Sequence, residues 1–556
     1  MKYVRLSEMR KVVLFFFLFS PLLLQAQLSE KDRFDIGKSL DIYNSLFKEL
    51  NLFYVDSIPV NKTIRANINY MLRNLDPYTE YIPEEDMPDF LQETTGEYAG
   101  VGAVLPSRAD TNAVLVIDLY EGMPAQLAGL RAGDQLLEID EVSLEGKNSS
   151  FASERLRGQP NTTVKIKYLR PGENEPKTVS FERKRIEVDP VVYYGILSDK
   201  VGYIYLSNFT THSSENIRRA LKDLTENRQI TSLILDVRDN PGGSVDDCVE
   251  ILNHFLPKSE LLLTTKGKVP QMDRTFRATR NADESTIPIA ILVNQGSASA
   301  SEILAGTIQD LDRGVIIGTR TYGKGLVQST RQLPYNGQLK LTTAKYYIPS
   351  GRCIQAIDYT HRGEDGRVSY IPDSLVTTFY TKNGRPVKDG GGITPDLKVE
   401  EKAIPNIAYY MEARSLFFDF VVDWRIKHPQ IASPEGFVLS DQTYEAFKEF
   451  VKSKNFTYDR QSEKAMENLK SIMEFENYMD SALEEFKALE DKLKPDLDHD
   501  LELYKDQLSK LLSMQIMKQY YYARGEHLFT LKGDEVVEKA MEVLSDTEQY
   551  NQILSK

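Results

Sequence analysis

The chain has 556 residues, of which 41% are hydrophobic and 27% charged, and its formal net charge is −14. This length predicts about three or four domains with ample hydrophobic core. An acidic chain without a basic stripe argues against binding to the phosphate backbone of nucleic acids.

The N-terminus has the pattern of a secretory signal. Lys2, Arg5, Arg10 and Lys11 precede an apolar run from Val12 to Leu24. The run is shorter than the roughly 20 residues that a membrane span needs. We therefore predict a signal peptide over residues 1–26, cleaved after Ala26, and a periplasmic or secreted mature chain. The alternative is an uncleaved segment that anchors the chain to the inner membrane.

Residues 27–95 show apolar side chains at helical spacing, which predicts an N-terminal helical region. The segment from Asn74 to Thr79, with Pro77 in it, interrupts this pattern. If this region has no functional role of its own, it is a domain that only packs against the rest of the protein.

Residues 96–188 change to short strands and short helices, including a strand over Ala113 to Leu119 and a helix over Phe151 to Arg157. The turn at the start resembles the carboxylate-binding loop of a PDZ domain. It consists of Tyr98, Ala99, Gly100, Val101, Gly102 and Ala103. Backbone amides in such a loop hold the terminal carboxylate of a peptide, which adds as a strand to the neighbouring sheet edge. An apolar last residue is the expected ligand.

Residues 189–399 alternate strands with helices, which predicts an α/β core. The predicted strands are Val201–Leu206, Ile230–Val237, Ile287–Val293, Gly314–Gly318 and Leu339–Tyr347, and the predicted helices are Ser213–Thr225, Val245–His254 and Ser301–Asp310. The segment Gly296-Ser297-Ala298-Ser299-Ala300-Ser301 lies between a strand and a helix, and a strand-to-helix corner presents a serine hydroxyl to a cleft.

A serine hydroxyl needs an adjacent base before it can act as a nucleophile, and the candidate here is Lys324. Lysine is a base only when neutral, so the site must lower its pKa by roughly 3 through burial. Gly323 and Gly325 would let the backbone wrap Lys324 closely, and Gln328 is placed to hold its amine. These residues predict a Ser/Lys/Gln arrangement.

Acyl transfer also needs N–H donors that stabilise the developing oxyanion. One candidate is the amide of Ala300. The others are Gly242 and Gly243, which follow an apolar strand in a Pro-Gly-Gly turn. Glycine permits the positive φ that lets such amides point into a cleft.

Taken together, the motifs resemble those of the C-terminal processing peptidases, or tail-specific proteases, over roughly Asn61 to Val399. The matching segments, in chain order, are DVRDNPGG from Asp236, GSASASEI from Gly296, GKGLVQ from Gly323, LTTAKYY from Leu341 with PSGR from Pro349, and GITPD from Gly392. The resemblance implies a multidomain α+β fold, with an α/β peptidase core, an inserted PDZ-like domain and helical ends. It also implies Ser299 as nucleophile and Lys324 as general base.

Other interpretations of these residues remain. Ser301 is a candidate helix N-cap, with Glu302 in the first turn, and Ser297 and Ser301 are alternative nucleophiles. The six histidines show no catalytic or zinc-binding spacing. Cys248, in a helical pattern, and Cys353, in a strand-like one, are predicted to be buried thiols rather than a disulfide. We predict no metal and no cofactor.

Residues 400–556 have a charged, helical pattern and are expected to pack on the core or on a second subunit. Acidic runs such as Glu484-Glu485 and Asp496 to Asp500 are interpreted as solvated faces or turns. The predicted partners are protein or peptide substrates with accessible C-termini. The resemblance implies that the helical N- and C-terminal regions support the contacts of a homodimer.

The favoured function is a serine endopeptidase, and the alternative is a non-catalytic peptide-binding scaffold on the same core. A scaffold has no need for a buried neutral lysine, so the pairing of Ser299 with Lys324 favours the enzyme.

Overall fold

The computed structural model describes residues 29–555, apart from 107, 109–112, 199, 285, 364–365, 401 and 494–495. The predicted signal peptide and its cleavage site lie outside these residues. Among the described helices, none combines the length and apolar character needed to cross a membrane.

Two helices open the described chain, α1 (Glu30–Phe53) and α2 (Val60–Arg73). Helix α1 has no buried residue, so the apolar side chains that predicted it face outward. The predicted break at Asn74 to Thr79 is followed by strand β1 (Glu80–Ile82) and helix α3 (Met87–Thr95).

The next region is a small β-rich domain. Its elements are β2 (Glu97–Gly100), β3 (Ala103–Val104), β4 (Val114–Leu115), β5 (Asp118–Leu119), α4 (Pro124–Leu127), β6 (Gln135–Ile139), β7 (Val142–Ser143), α5 (Ser149–Leu156), β8 (Thr163–Leu169), β9 (Lys177–Glu182) and β10 (Lys184–Glu187). The single strand predicted from Ala113 to Leu119 is wrong. The chain changes sheets within it, because β4 pairs with β6 whereas β5 pairs with β3.

The core follows. Its strands are β11 (Val191–Ile196), β12 (Val201–Leu206), β13 (Ser232–Asp236), β14 (Leu261–Gly267), β15 (Arg274–Arg277), β16 (Ile289–Val293), β17 (Val315–Gly318), β18 (Leu326–Gln332), β19 (Gln338–Tyr347), β20 (Ile357–Arg362), β21 (Val368–Tyr370), β22 (Thr378–Tyr380), β23 (Pro386–Lys388) and β24 (Leu397–Lys398). Its helices are α6 (Ser213–Lys222), continued by a π-turn over Asp223–Asn227, α7 (Val245–Leu252) and α8 (Ala300–Asp310). The predicted core elements are thus present, with ends shifted by a few residues.

The main sheet has the order β11-β12-β13-β16-β17-β24, and β12 to β24 run parallel. Asp236 on β13 lies opposite Leu292 on β16. Because parallel strands end at the same edge, the Pro-Gly-Gly turn and the serine turn emerge side by side. A second sheet contains β1, β19, β14 and β15, with β18 paired to β19. Lys324 lies just before β18.

The C-terminal region is helical, as predicted. Its helices are α9 (Asn406–Ala413), α10 (Leu416–Lys427), α11 (Asp441–Ser453), α12 (Gln461–Phe475), α13 (Leu483–Leu493), α14 (Leu497–Leu503), α15 (Lys505–Thr530), α16 (Glu535–Ser545) and α17 (Thr547–Leu554). Val537 and Ala540 on α16 pack against Ile234 and Leu292 of the main sheet.

The acidic run from Asp496 to Asp500 is not wholly solvated, which corrects the sequence interpretation. Asp500 is buried, and its carboxylate accepts hydrogen bonds from Arg460 at 3.0 Å and from the Tyr458 hydroxyl at 2.9 Å. A buried carboxylate requires such partners because its desolvation is costly.

Candidate active site

The serine turn is held against the Pro-Gly-Gly turn by the two outer serines of its Ser-Ala-Ser-Ala-Ser segment. The Ser297 hydroxyl donates to the Val237 carbonyl at 2.8 Å, and the Ser301 hydroxyl donates to the Asn240 carbonyl at 2.9 Å. Both residues are fully buried. Their hydroxyl protons are therefore engaged in holding two turns together.

Ser299 differs from both. Its side chain is half-buried, and its hydroxyl donates to no acceptor within the described part of the chain. Its φ of 54° lies in the left-handed region, which is costly for a non-glycine residue and is concentrated at functional sites. Ser299 immediately precedes α8 and is its N-cap, so the proposal of Ser301 as N-cap is wrong.

The buried Glu302 joins the serine turn to the lysine loop. One carboxylate oxygen accepts the Ser299 and Lys324 amides at 2.9 and 2.8 Å. The other accepts the Gly323 amide at 2.7 Å and the Thr321 hydroxyl at 2.6 Å. Burial raises the pKa of Glu302 to about 7, but four donors and no acceptor around the group favour the ionised form.

Tyr346 on β19 makes a second link between the same two segments. Its hydroxyl lies 2.6 Å from the Lys324 carbonyl oxygen and 3.2 Å from the Ser299 carbonyl oxygen. The ring is fully buried, and burial raises the pKa of Tyr346, so the hydroxyl keeps its proton.

Lys324 is enclosed by its neighbours, as its glycine-flanked sequence predicted. A Cβ on Gly323, whose φ is 90°, would lie 2.4 Å from the Ala356 Cβ. The Gly325 amide donates to the Gln355 side chain at 2.7 Å. Burial, helped by the positive charge of Lys340, lowers the pKa of Lys324 to about 8. A substantial neutral fraction is therefore present near neutral pH.

Gln328, on β18, was expected to hold the amine of Lys324, but its side chain makes a different contact. Its side-chain amide donates to the Thr342 hydroxyl at 3.1 Å. The Thr342 amide in turn donates to the Thr79 hydroxyl at 3.3 Å. Gln328 thus belongs to a network that reaches the N-terminal region.

The three amides proposed for the oxyanion hole have different surroundings. The Gly242 amide donates to the Asn240 side chain at 2.9 Å, so this donor is occupied. The Gly243 and Ala300 amides have no acceptor among the described residues. Gly242 still lies against the serine, because a Cβ there would be 2.8 Å from the Ser299 Cβ.

The glycine-rich loop from Tyr98 to Ala103 joins β2 to β3, and β3 pairs with β5 on one side. The Val101 amide has no acceptor among the residues that the structure describes, whereas the Gly102 backbone is hydrogen-bonded to the Tyr98 hydroxyl. Helix α5 contains Phe151, whose ring is covered by the Arg155 guanidinium at 3.7 Å. Free amides in a turn are the donors that a carboxylate ligand needs.

The remaining reactive side chains lie elsewhere. Cys248 and Cys353 are free thiols. Cys353 lies in an irregular segment rather than the predicted strand-like one, and Cys248 is buried beneath α8, where its thiol contacts the Ala300 carbonyl. Within the described ranges, no group of three or more His, Cys, Asp or Glu side chains is arranged to hold a metal ion.

Sequence reasoning missed Glu302, Tyr346, Tyr78 and Thr79. Glu302 lay inside a recognised motif but was assigned only to a helix turn. Tyr346 also lay inside a motif, whereas the segment with Tyr78 and Thr79 was noted only as a helix break. No short-range signal connects residues 78 and 324.

Comparisons with known families now define the class of the protein. Residues 200–361 match Peptidase family S41, and residues 96–181 match a PDZ domain. Residues 407–544 match the family described as "Probable PDZ-protease, C-terminal helical domain". The chain is therefore a PDZ-containing serine-type peptidase.

Curated relatives narrow this class. The carboxy-terminal-processing protease of Bartonella bacilliformis is 34% identical over 358 residues, which cover 63% of this chain and 81% of the relative. The corresponding protease of Synechocystis sp. is 36% identical, with 52% of this chain and 68% of the relative covered. The chain belongs to the carboxy-terminal processing protease family. Among solved structures, the photosystem II D1 C-terminal processing protease is 25% identical, covers 65% of this chain and 87% of its own, and has a TM-score of 0.35.

Proposed function

We propose that this peptidase is a periplasmic endopeptidase that recognises C-terminal tails of its substrates and cleaves through an acyl-enzyme on Ser299, with Lys324 as general base. The observation that carries the proposal is the contrast among the three serines. Only Ser299 has a hydroxyl proton without an acceptor in the described part of the chain, and its backbone is joined to that of Lys324 through Glu302.

In the proposed reaction, neutral Lys324 accepts the hydroxyl proton while the Ser299 Oγ attacks the substrate carbonyl. The Gly243 and Ala300 amides are the donors for the oxyanion, each worth about 3 kcal/mol. Protonated Lys324 then gives its proton to the departing amine. A water molecule, deprotonated by Lys324, hydrolyses the ester and restores Ser299.

The chemistry is tested with Ser299→Ala and Lys324→Ala on a fluorogenic peptide with an apolar C-terminal residue. We expect kcat to fall by about 10³-fold or more in each, because both groups serve one proton transfer. Ser297→Ala and Ser301→Ala are the matched controls and should form the acyl-enzyme detected by mass spectrometry. Normal turnover by folded Ser299→Ala would contradict the assignment and support the scaffold alternative or another serine.

Tail recognition is supported by the free Val101 amide beside the edge of β3. A charge-assisted hydrogen bond to a carboxylate is roughly twice as strong as a neutral one. Peptides amidated at the C-terminus should therefore have a KM about tenfold higher than their free acids. Equal cleavage of both forms would remove tail recognition and leave the Ser299 chemistry intact.

A homodimer is also proposed, on the basis of the exposed apolar side chains of α1. Ile36, Leu40, Tyr43 and Leu50 are spaced by three, four or seven positions, so they lie on one face of the helix, and each is more than 40% exposed. A contiguous apolar helix face of this kind is typical of a protein interface. Sedimentation should give a dimer for the mature chain and a monomer for the variant Leu40→Asp, Leu50→Asp. A wild-type monomer at micromolar concentration would contradict this part of the proposal.

A further inference from the structure

The segment Asp76 to Thr79 reaches the catalytic lysine from outside the peptidase core. The buried Asp76 carboxylate accepts the Tyr78 and Thr79 amides, each at 2.8 Å, and the Thr79 hydroxyl at 3.0 Å. An aspartate that binds the backbone two and three residues ahead fixes a tight turn. The turn holds the backbone of Tyr78 in one place.

The ring of Tyr78 lies over the amine of Lys324, with Nζ 4.3 Å from the ring centroid. The ring is also held at its far end. Its hydroxyl lies 3.3 Å from the Tyr359 hydroxyl, and the two rings meet edge to face with centroids 5.9 Å apart. Tyr78 is thus fixed by its own turn and by β20.

We propose that Tyr78 is a positioning residue that keeps water away from the Lys324 amine and so increases the neutral fraction of the base in the resting enzyme. This inference rests on the proposed role of Lys324 as general base. The assigned motifs of the core do not contain Tyr78, which lies more than 200 positions earlier in the chain.

Two effects of the ring oppose each other. An aromatic face attracts an ammonium ion by about 0.5–2 kcal/mol, which favours the charged lysine. Exclusion of water favours the neutral lysine and can lower a lysine pKa by several units when burial is complete. Burial is the largest cause of the lowered pKa of Lys324, and the ring of Tyr78, 4.3 Å from the amine, is one of the groups that bury it. We therefore expect the exclusion of water to be the larger effect of the ring.

Other groups also act on the amine. Lys340 lowers its pKa, whereas Glu302, Asp76 and Glu80 raise it. Burial raises the pKa of the neighbouring Tyr359, so its hydroxyl is neutral at the pH values of interest. All of these groups remain in a variant of Tyr78, so a change in the titration of Lys324 reports on the ring itself.

The test measures the titration of Lys324 directly. In a Ser299→Ala background, the rate of Lys324 acetylation by acetic anhydride is followed against pH by mass spectrometry. We expect Tyr78→Ala to raise the pH midpoint by about 1 or more, and Tyr78→Phe to leave it unchanged. In the active enzyme, Tyr78→Ala should shift the acid limb of kcat/KM upward by the same amount, with about a tenfold loss at pH 7.5.

The outcomes separate this inference from the proposed function. If Lys324→Ala keeps full activity, the base assignment itself fails. If Lys324→Ala is inactive but Tyr78→Ala lowers kcat/KM equally at all pH values, with an unchanged acetylation midpoint, the ring has only a structural role and the inference is wrong. Tyr78→Gln serves as a second variant if Tyr78→Ala does not fold, and it should also raise the midpoint.

Discussion

The catalytic turns and the C-terminal helices both reach the end of β13, but they are attached to it in different ways. The serine turn is attached by short hydrogen bonds to backbone carbonyls, from Ser297 to Val237 and from Ser301 to Asn240. The helices are attached by buried charged and aromatic side chains. Arg238, just after β13, forms ion pairs with Asp236 and with Asp534, the N-cap of α16.

This difference explains why one region was predicted in detail and the other was not. Small residues such as Ser299 and Gly242 are required wherever backbones approach closely, so the catalytic turns leave a local sequence pattern. The ion pair between Arg238 and Asp534 joins residues that are 296 positions apart in the sequence, and it requires only a common charged residue at each position. Nothing in the local sequence distinguishes such a pair from solvated charges.

The C-terminal helices also contact the PDZ domain. Helix α15 has a kink at Tyr522, where φ is 57° and ψ is −166°. Before the kink, Lys518 pairs with Asp118 on β5 at 3.6 Å. After it, His527 stacks on Tyr205 of the core, with ring centroids 4.0 Å apart. One helix therefore joins the PDZ domain to β12, the neighbour of the strand that precedes the Pro-Gly-Gly turn.

The largest expected effect is on the attachment of the helices. Asp534→Ala removes both an N-cap and a partner of the buried Arg238, so we expect a loss of about 3 kcal/mol in the free energy of unfolding. Asp546→Ala is the matched control, because Asp546 caps α17 but forms no ion pair among the described residues, and it should cost about 1 kcal/mol. Urea denaturation measures both. Equal losses would mean that the ion pair adds nothing to the attachment.

The fold of the core was predictable because buried parallel strands such as Ile289–Val293 are continuous apolar runs. The placement of Ser299 at a strand-to-helix turn and of Lys324 in a glycine-flanked loop was predictable because their motifs are local, and their catalytic roles stay predictions. Two details were not predictable. The occupied amide of Gly242 depends on the rotamer of Asn240, and the cover over Lys324 depends on a turn 246 positions earlier, at Tyr78. Both are side-chain placements that only the assembled fold determines.

The next prediction concerns Glu302, which links the two catalytic segments. In Glu302→Gln, an NH₂ group replaces one carboxylate oxygen. The two hydrogen-bond donors that this oxygen accepted then face another donor, so both of these hydrogen bonds are lost. A displacement of about 1 Å at a catalytic group costs on the order of 100-fold in rate, and we expect that loss in kcat/KM. Peptide binding by the PDZ domain should be unchanged. Glu250→Gln, on α7, is the control, because the Glu250 side chain is 44% exposed, and it should be fully active. Full activity of Glu302→Gln would show that the link is dispensable.

Activity should rise with pH, because the catalytic turns contain the groups that titrate. At pH values below about 8, which is the pKa of Lys324, the neutral fraction of the lysine falls roughly tenfold per pH unit. At pH values below about 7, which is the pKa of Glu302, protonation of its carboxylate adds an O–H donor to the four donors that already face the group. Both changes lower activity in acid. Burial lowers the pKa of His527 to about 4, so the histidine that stacks on Tyr205 does not titrate in this range. A kcat/KM profile that is flat from pH 6 to 9 would contradict the lysine mechanism.

The smallest effect is expected at Gln328, where the sequence and the structure assign different contacts. If Gln328 acts only through the network with Thr342 and Thr79, Gln328→Ala should lower kcat by less than about tenfold, since a neutral hydrogen bond contributes about 1 kcal/mol. Thr342→Val removes the same acceptor and should cause a similar loss, and the double variant should be no worse than either single one. A Gln328→Ala loss far larger than that of Thr342→Val would instead mean that Gln328 contacts the amine of Lys324 during the reaction, as its position in the motif predicts. The double-mutant comparison thus decides whether the last of the three catalytic residues proposed from the sequence acts locally or through the N-terminal turn.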